Sequence, residues 1–142
     1  MSDSITRQAL PSQEYLKMIG IAHCVFASNN SFIIENILKF DNDNNYNWYD
    51  LIDGSSGDLL EPIKETITKN CGSKIVQVFQ DLIAKRNRLM HSFQITDKDG
   101  KQRLATKNKK CEQYILTDDW LKDFIKKNQE LSDLLYLARS KR

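Results

Sequence analysis

Arg86, Asn87 and His91 lie close together in the chain and offer three groups suited to chemistry on a phosphodiester. A histidine titrates near neutral pH and can accept or donate a proton. An arginine can hold a phosphate through two parallel hydrogen bonds and offset the negative charge that develops on it. An asparagine amide can orient either group. None of these roles requires a metal ion, so the segment favours metal-independent phosphodiester chemistry.

These residues fall in a segment whose apolar residues repeat with helical spacing. On a helical wheel with Ile75 at 0°, Arg86 lies at about 20°, in the middle of the apolar stripe, whereas Asn87 and His91 lie at about 120° and 160°, along one edge of the stripe. Because an isolated buried charge is costly, Arg86 must either be paired or reach a polar cleft. Glu35 and Asp81 are candidate acidic partners for a purely structural Arg86. In that interpretation, His91 is an ordinary surface residue.

The sequence R-N-x-x-x-H late in a helix resembles the signature of the HEPN superfamily. That signature is an arginine, usually followed by a polar residue, with a histidine four to six positions later; here the match is Arg86, Asn87 and His91. The resemblance implies a mainly all-α domain, a four- or five-helix bundle, acting as a metal-independent endoribonuclease without a cofactor. It also implies a homodimer with facing motifs, in which His91 is the acid–base residue, Arg86 binds the scissile phosphate and Asn87 assists.

Such a ribonuclease uses the 2′-hydroxyl of RNA as its nucleophile, leaves a 2′,3′-cyclic phosphate and spares DNA. Many members of the family act in toxin–antitoxin, abortive-infection and related antiviral defence systems, so an antitoxin or a sensor protein is an expected partner. Other members have lost activity. The alternative for this chain is therefore a catalytically inactive HEPN-like module that docks a protein partner or a nucleic acid, or that mediates oligomerisation.

The distribution of charge also points to a polyanion. The net charge is +2, but residues 1–72 carry five Lys or Arg and ten Asp or Glu side chains, whereas residues 73–142 carry sixteen and nine. Basic side chains that could neutralise RNA phosphates cluster in the second half. They are Lys98, Lys101, Arg103, Lys107, Lys109 and Lys110. A solvated lysine-rich loop would show the same pattern.

The remaining pattern predicts a single helical domain at 11–142 after a polar tail at 1–10. Apolar spacing predicts helices at 12–40, 59–70, 74–93 and 117–142, with a loop at 41–58. The Ser28–Ser31 stretch either kinks the first helix or divides it in two. His23, in step with apolar neighbours, is expected to lie in the core.

Turn residues at 96–101 predict a small β-hairpin insertion near 93–116. Its strands are expected at 93–95 and 103–105, with 114–116 as a third.

Composition excludes several classes of protein. The 142 residues are 40% hydrophobic and 28% charged, with only five Gly and two Pro, so collagen-like and linker-dominated chains are excluded. No apolar stretch is long enough to cross a bilayer, and no signal peptide is visible, so we expect a cytoplasmic protein. Three widely spaced cysteines and two histidines match no disulfide framework or zinc pattern, so no metal site is expected.

Overall fold

Two long helices lie side by side and form the centre of the fold. In this computed structural model, which describes residues 5–141, they are α1 (Gln13–Phe40) and a C-terminal helix, Asp118–Ser140. The helices run parallel: Asn29 hydrogen-bonds Asn128, and ten residues later along α1 the Lys39 ammonium donates to the carbonyl of Arg139. Hydrogen bonds therefore join the second half of α1 to the C-terminal helix.

Helix α1 passes through the Ser28–Ser31 stretch without a break. The buried Asn29 amide donates to the Asn128 carbonyl (2.8 Å) and to the Asn128 Oδ1 (3.0 Å), and Asn128 Nδ2 donates to the carbonyl of Phe124. These bonds satisfy polar groups that would be costly to bury alone. Asn29 is therefore an inter-helix contact, and the expected division of α1 into two helices is wrong.

The segment after α1 is more helical than the sequence predicts. It holds α2 (Trp48–Asp53), a 3₁₀ turn (Ser56–Leu59), α3 (Leu60–Glu65) and α4 (Ile67–Cys71). The expected loop at 41–58 therefore contains a helix, and the expected helix at 59–70 is divided at Thr66. The Thr66 hydroxyl donates to the Pro62 carbonyl while the Thr66 backbone leaves helical geometry.

Helix α5 (Lys74–Met90) begins after Ser73, as expected, but ends three residues earlier than the predicted 93. His91 is its C-cap, and the chain then enters the strand β1 (Phe93–Thr96). β1 pairs antiparallel with β2 (Gln102–Lys107), which pairs antiparallel with β3 (Gln113–Ile115). The predicted hairpin and its third strand are confirmed.

The final helix, α6 (Asp118–Ser140), is capped by Thr117, whose hydroxyl accepts from the Trp120 amide. In the core, the ring of Phe26 stacks with those of Phe79 and Phe124, which joins α1, α5 and α6. The small sheet is held to α1 by a buried Tyr15, whose hydroxyl donates to the Leu116 carbonyl (2.6 Å).

The chain is thus mainly helical, with a three-stranded antiparallel sheet inserted before its last helix. The expectation of a mainly α fold is confirmed. Residues 5–141 form six α-helices, of which α1, α5 and α6 are long. Over the same residues, no helix combines the length and apolar character needed to span a membrane.

Candidate functional site

The three motif residues lie at the C-terminal end of α5. Arg86 is half-buried, whereas Asn87 and His91 are exposed. The backbone N–H of His91 donates to the Asn87 carbonyl (3.0 Å), which closes the last turn of the helix. Around the helix axis Arg86 and His91 are separated by about 140°, and along it by roughly 7.5 Å. The two side chains therefore leave α5 on different sides.

Arg86 has no acidic partner within residues 5–141. Its guanidinium lies over the ring of Phe26, 5.0 Å from the centroid, and one nitrogen is 3.5 Å from the Ser56 hydroxyl. The first contact is a cation–π interaction, and the second is at the long limit of a hydrogen bond. Most of the five N–H donors of the guanidinium thus stay available to a ligand.

The acids that could have paired with Arg86 are engaged or placed elsewhere. Asp81 forms ion pairs with Lys85 (3.2 Å) and Lys127 (2.7 Å). Glu35 is exposed and lines a groove on α1 together with Lys39. The interpretation of Arg86 as half of an ion pair with either acid is therefore wrong for this fold.

Arg86 opens into a cleft of about 500 Å³ between α1, the 3₁₀ turn and α5, here called the Arg86 cleft. The buried Phe26 is part of its wall, and Ile52 and Met90 lie on its exposed rim. The polar side chains that line it are those of His23, Asn30, Ser31, Ser55, Ser56 and Arg86.

His23 belongs to this cleft and not to the core. Its side chain is exposed, so the sequence expectation of a core histidine is wrong. His23 lies on the same side of α1 as Phe26, as the helical spacing predicts. At this point of α1, however, that side faces the cleft and not the core. Sequence reasoning therefore missed His23 as a candidate, and the only available signal was its position one turn before Phe26.

A second cleft, of about 460 Å³, opens on the other side of α5 and is here called the basic cleft. Asn87 and Arg88 line one wall, and the Arg88 guanidinium donates to the Lys107 carbonyl (2.8 Å), which joins α5 to the end of β2. The other lining residues are Ala84, Lys107, Asn108, Lys109 and Tyr114. Neither cleft is lined by His91.

The predicted basic cluster divides between the two ends of β2. Lys98 and Lys101 lie in the turn before this strand, and Lys107, Lys109 and Lys110 lie at its far end, roughly 17–20 Å away for six extended residues. All five lysines are exposed. The cluster is therefore two patches, of which the second adjoins the basic cleft.

Arg103 differs from those lysines because its guanidinium is already occupied. It pairs with Asp118 (2.9 Å) and Asp97 (3.6 Å) and lies over the Tyr15 ring, 4.9 Å from the centroid. Backbone N–H donors, first that of Lys101, and then the charge of Arg103 lower the pKa of Asp97. Arg103 therefore fastens the sheet to α1 and α6.

The other titratable clusters lie away from the motif. Glu65 accepts a hydrogen bond from the Tyr46 hydroxyl and raises the pKa of Tyr46 to about 12. Among residues 5–141, no group of three or more His, Cys, Asp or Glu side chains is arranged to hold a metal ion.

Comparison with protein-family models, with curated proteins and with solved structures gives no significant match.

Proposed function

We propose that this protein is a metal-independent endoribonuclease of the HEPN type. The observation that carries the proposal is the environment of Arg86, a half-buried guanidinium without an acidic partner in residues 5–141 that opens into a polar cleft. A partly desolvated charge without a partner costs free energy unless a bound ligand pairs with it. A phosphate matches its geometry and charge.

The proposed reaction is transesterification within the RNA strand. The 2′-oxygen forms a bond to phosphorus as the bond from phosphorus to the leaving 5′-oxygen breaks, which produces a 2′,3′-cyclic phosphate. His91 accepts the proton of the attacking 2′-hydroxyl or donates a proton to the leaving 5′-oxygen. Arg86 stabilises the charge that accumulates on the phosphate, and Asn87 orients one of these groups. DNA lacks the nucleophile and is not cut.

A homodimer would bring the two sides of the motif together. Because Arg86 and His91 of one chain leave α5 on different sides, His91 of the partner subunit is the more suitable proton-transfer group for the Arg86 cleft. Met90 and Phe93 flank His91 and are 53% and 42% exposed. Burying these apolar side chains against a second copy would favour such a dimer.

The exposed lysines would bind the RNA strand on either side of the reacting phosphate. Lys107 and Lys109 belong to the basic cleft beside Asn87, so a strand bound there passes next to the motif. Lys98, Lys101 and Lys110 extend the positive surface further. These contacts would release counterions and make RNA binding sensitive to salt.

The setting proposed for this activity is a cytoplasmic defence or toxin–antitoxin system, in which an antitoxin or sensor protein holds the ribonuclease inactive until it is needed. Uncontrolled cleavage of cellular RNA would be harmful to the host.

The test is incubation of the purified protein with total RNA in excess EDTA. Wild-type protein is expected to produce fragments, His91→Ala to produce none, and Gln80→Ala, an exposed change on the same helix, to match wild type. All three proteins should melt at nearly the same temperature because both side chains are exposed. Normal cleavage by His91→Ala would contradict the proposal.

The basic cleft supports a second candidate function, that of a catalytically inactive module which docks RNA or an acidic partner. Arg88, Lys107 and Lys109 would bind a polyanion there whether or not the motif is active. Salt-dependent RNA binding without cleavage by the wild-type protein would favour this candidate.

A further inference from the structure

The Arg86 cleft has the composition of an anion site. Arg86 is the one Lys or Arg among the residues that line it, and Asp and Glu are absent from that lining. Hydroxyl, amide and imidazole groups make up the rest of its polar surface. Such donors around one cation suit a ligand that is negatively charged and rich in acceptor oxygens.

The hydrogen bonds between cleft residues leave several donors free. The Ser56 hydroxyl donates to Asn30 Oδ1 (2.7 Å), which leaves the N–H groups of the Asn30 amide without a partner in residues 5–141. Ser55 Oγ accepts from the Asp58 backbone amide (3.3 Å), and its own proton stays available. The network therefore fixes Asn30 and Ser55 in place and presents donors to a ligand.

Two helices contribute the His23, Asn30 and Arg86 side chains of the cleft. His23 and Asn30 lie two turns apart on α1, whereas Arg86 reaches the cleft from α5. The stacking of the Arg86 guanidinium on the buried Phe26 limits its motion. A volume of about 500 Å³ lies within the range of small-ligand sites and is large enough for one nucleotide.

We propose that the Arg86 cleft binds one 3′-phosphorylated nucleotide unit of the RNA, and that His23 and Asn30 contact this unit together with Arg86. The inference deepens the proposed ribonuclease function by assigning the substrate contacts of one site. It adds residues of α1 that lie outside the R-N-x-x-x-H motif.

The test is calorimetric binding of uridine 3′-monophosphate, which has the phosphate but no scissile bond, to the full chain. His23→Ala and Asn30→Ala are expected to weaken binding by about tenfold each, the loss of one hydrogen bond to a charged group. His23→Gln, which keeps an N–H donor, should recover part of this loss. Cys24→Ala, an exposed neighbour of His23 on α1, and Lys122→Ala on α6 should bind like wild type.

Three ligands define what the cleft recognises. The nucleotide should bind more tightly than inorganic phosphate, and uridine without a phosphate should bind least. Wild-type affinity in His23→Ala and Asn30→Ala, or equal binding of uridine and its monophosphate, would overturn the inference.

Nucleotide binding in the Arg86 cleft and cleavage of RNA can be tested independently of each other. Tight nucleotide binding that depends on His23, without cleavage of RNA, would support the cleft and contradict the ribonuclease. Cleavage that depends on Arg86 and His91, with unchanged nucleotide binding in His23→Ala, would support the ribonuclease and contradict the cleft assignment.

Discussion

Replacing Arg86 by methionine removes the guanidinium but keeps an unbranched side chain to fill the space beside Phe26. What is lost is a hydrogen bond at 3.5 Å and a cation–π contact at 5.0 Å. The first contributes well under about 1 kcal/mol at that distance, and the second about 0.5–1 kcal/mol. Removing a half-buried charge partly offsets both losses.

We therefore expect Arg86→Met to lower the free energy of unfolding by about 1 kcal/mol. Urea denaturation followed by circular dichroism measures this quantity, and the midpoint should fall by about 0.5 M for a slope near 2 kcal/mol/M. The same variant should lose roughly 100-fold or more in RNA cleavage, the usual effect of deleting one group that stabilises transition-state charge. Lys122→Met is the matched control and should change neither quantity.

A structural ion pair at Arg86 would behave differently. Deleting one partner of a buried pair costs about 3–5 kcal/mol, which would move the urea midpoint by about 1.5–2.5 M. A loss of that size, with cleavage reduced only in proportion to unfolded protein, would refute the assignment of Arg86 to a ligand site.

The fold itself makes three further predictions. Tyr15→Phe removes two hydrogen bonds, one donated to the Leu116 carbonyl and one accepted from the Leu104 N–H, and should cost about 1–3 kcal/mol. Because burial raises the pKa of Tyr15, wild-type stability should fall above about pH 10, and the variant should lose this dependence in pH-resolved denaturation. Asn29→Ala leaves Asn128 Oδ1 without its donor and should cost about 1–3 kcal/mol in urea denaturation, whereas an unchanged midpoint would contradict the role of the amide pair. The hydrogen bond from Lys127 lowers the pKa of Asp81. The pair should therefore stabilise the protein above about pH 4, and this stabilisation should be lost as the pH falls through the lowered pKa. NMR titration of the Asp81 carboxyl should show a lower pKa in wild type than in Lys127→Met.

The sequence predicts the long helices because their apolar residues recur along most of their length. The range of helix α1 (Gln13–Phe40) and the starts of α5 and α6 follow from apolar spacing, whereas Ser73 before α5 makes no side-chain cap hydrogen bond. The hairpin also follows, since its turn residues interrupt two short apolar segments. Local patterns determine these features, so one sequence is enough to predict them.

Features set by distant contacts could not be predicted in this way. The buried amide of Asn29 pairs with Asn128, 99 residues later in the chain, and no local pattern indicates that contact. The short helix α2 lies within a segment whose many polar residues predict a loop. Asn47 caps it, and the Asn47 side chain accepts a hydrogen bond from the Asp50 amide. Periodicity indicates which residues share a helix face, but it does not show which elements cover that face.

In the candidate site, too, some features follow from local sequence and others from contacts between distant residues. The helical wheel correctly places Arg86 at a position from which its side chain must reach a partner or a polar cleft. The wheel does not identify Ser56 and Phe26, the two residues that Arg86 contacts. Apolar spacing in the first helix places His23 in the core, although a cleft opens at that point of α1. The residues of the motif are read from the sequence, and the residues around it depend on packing.

Metal-independent cleavage through the 2′-hydroxyl can be tested with two oligonucleotides and the wild-type protein in excess EDTA. One is all RNA, and the other carries a single 2′-deoxy nucleotide at the mapped cleavage site. We expect cleavage of the first to a fragment ending in a 2′,3′-cyclic phosphate and no cleavage of the second at that position. Cleavage of the 2′-deoxy strand at the same bond, or cleavage that EDTA abolishes, would contradict this expectation.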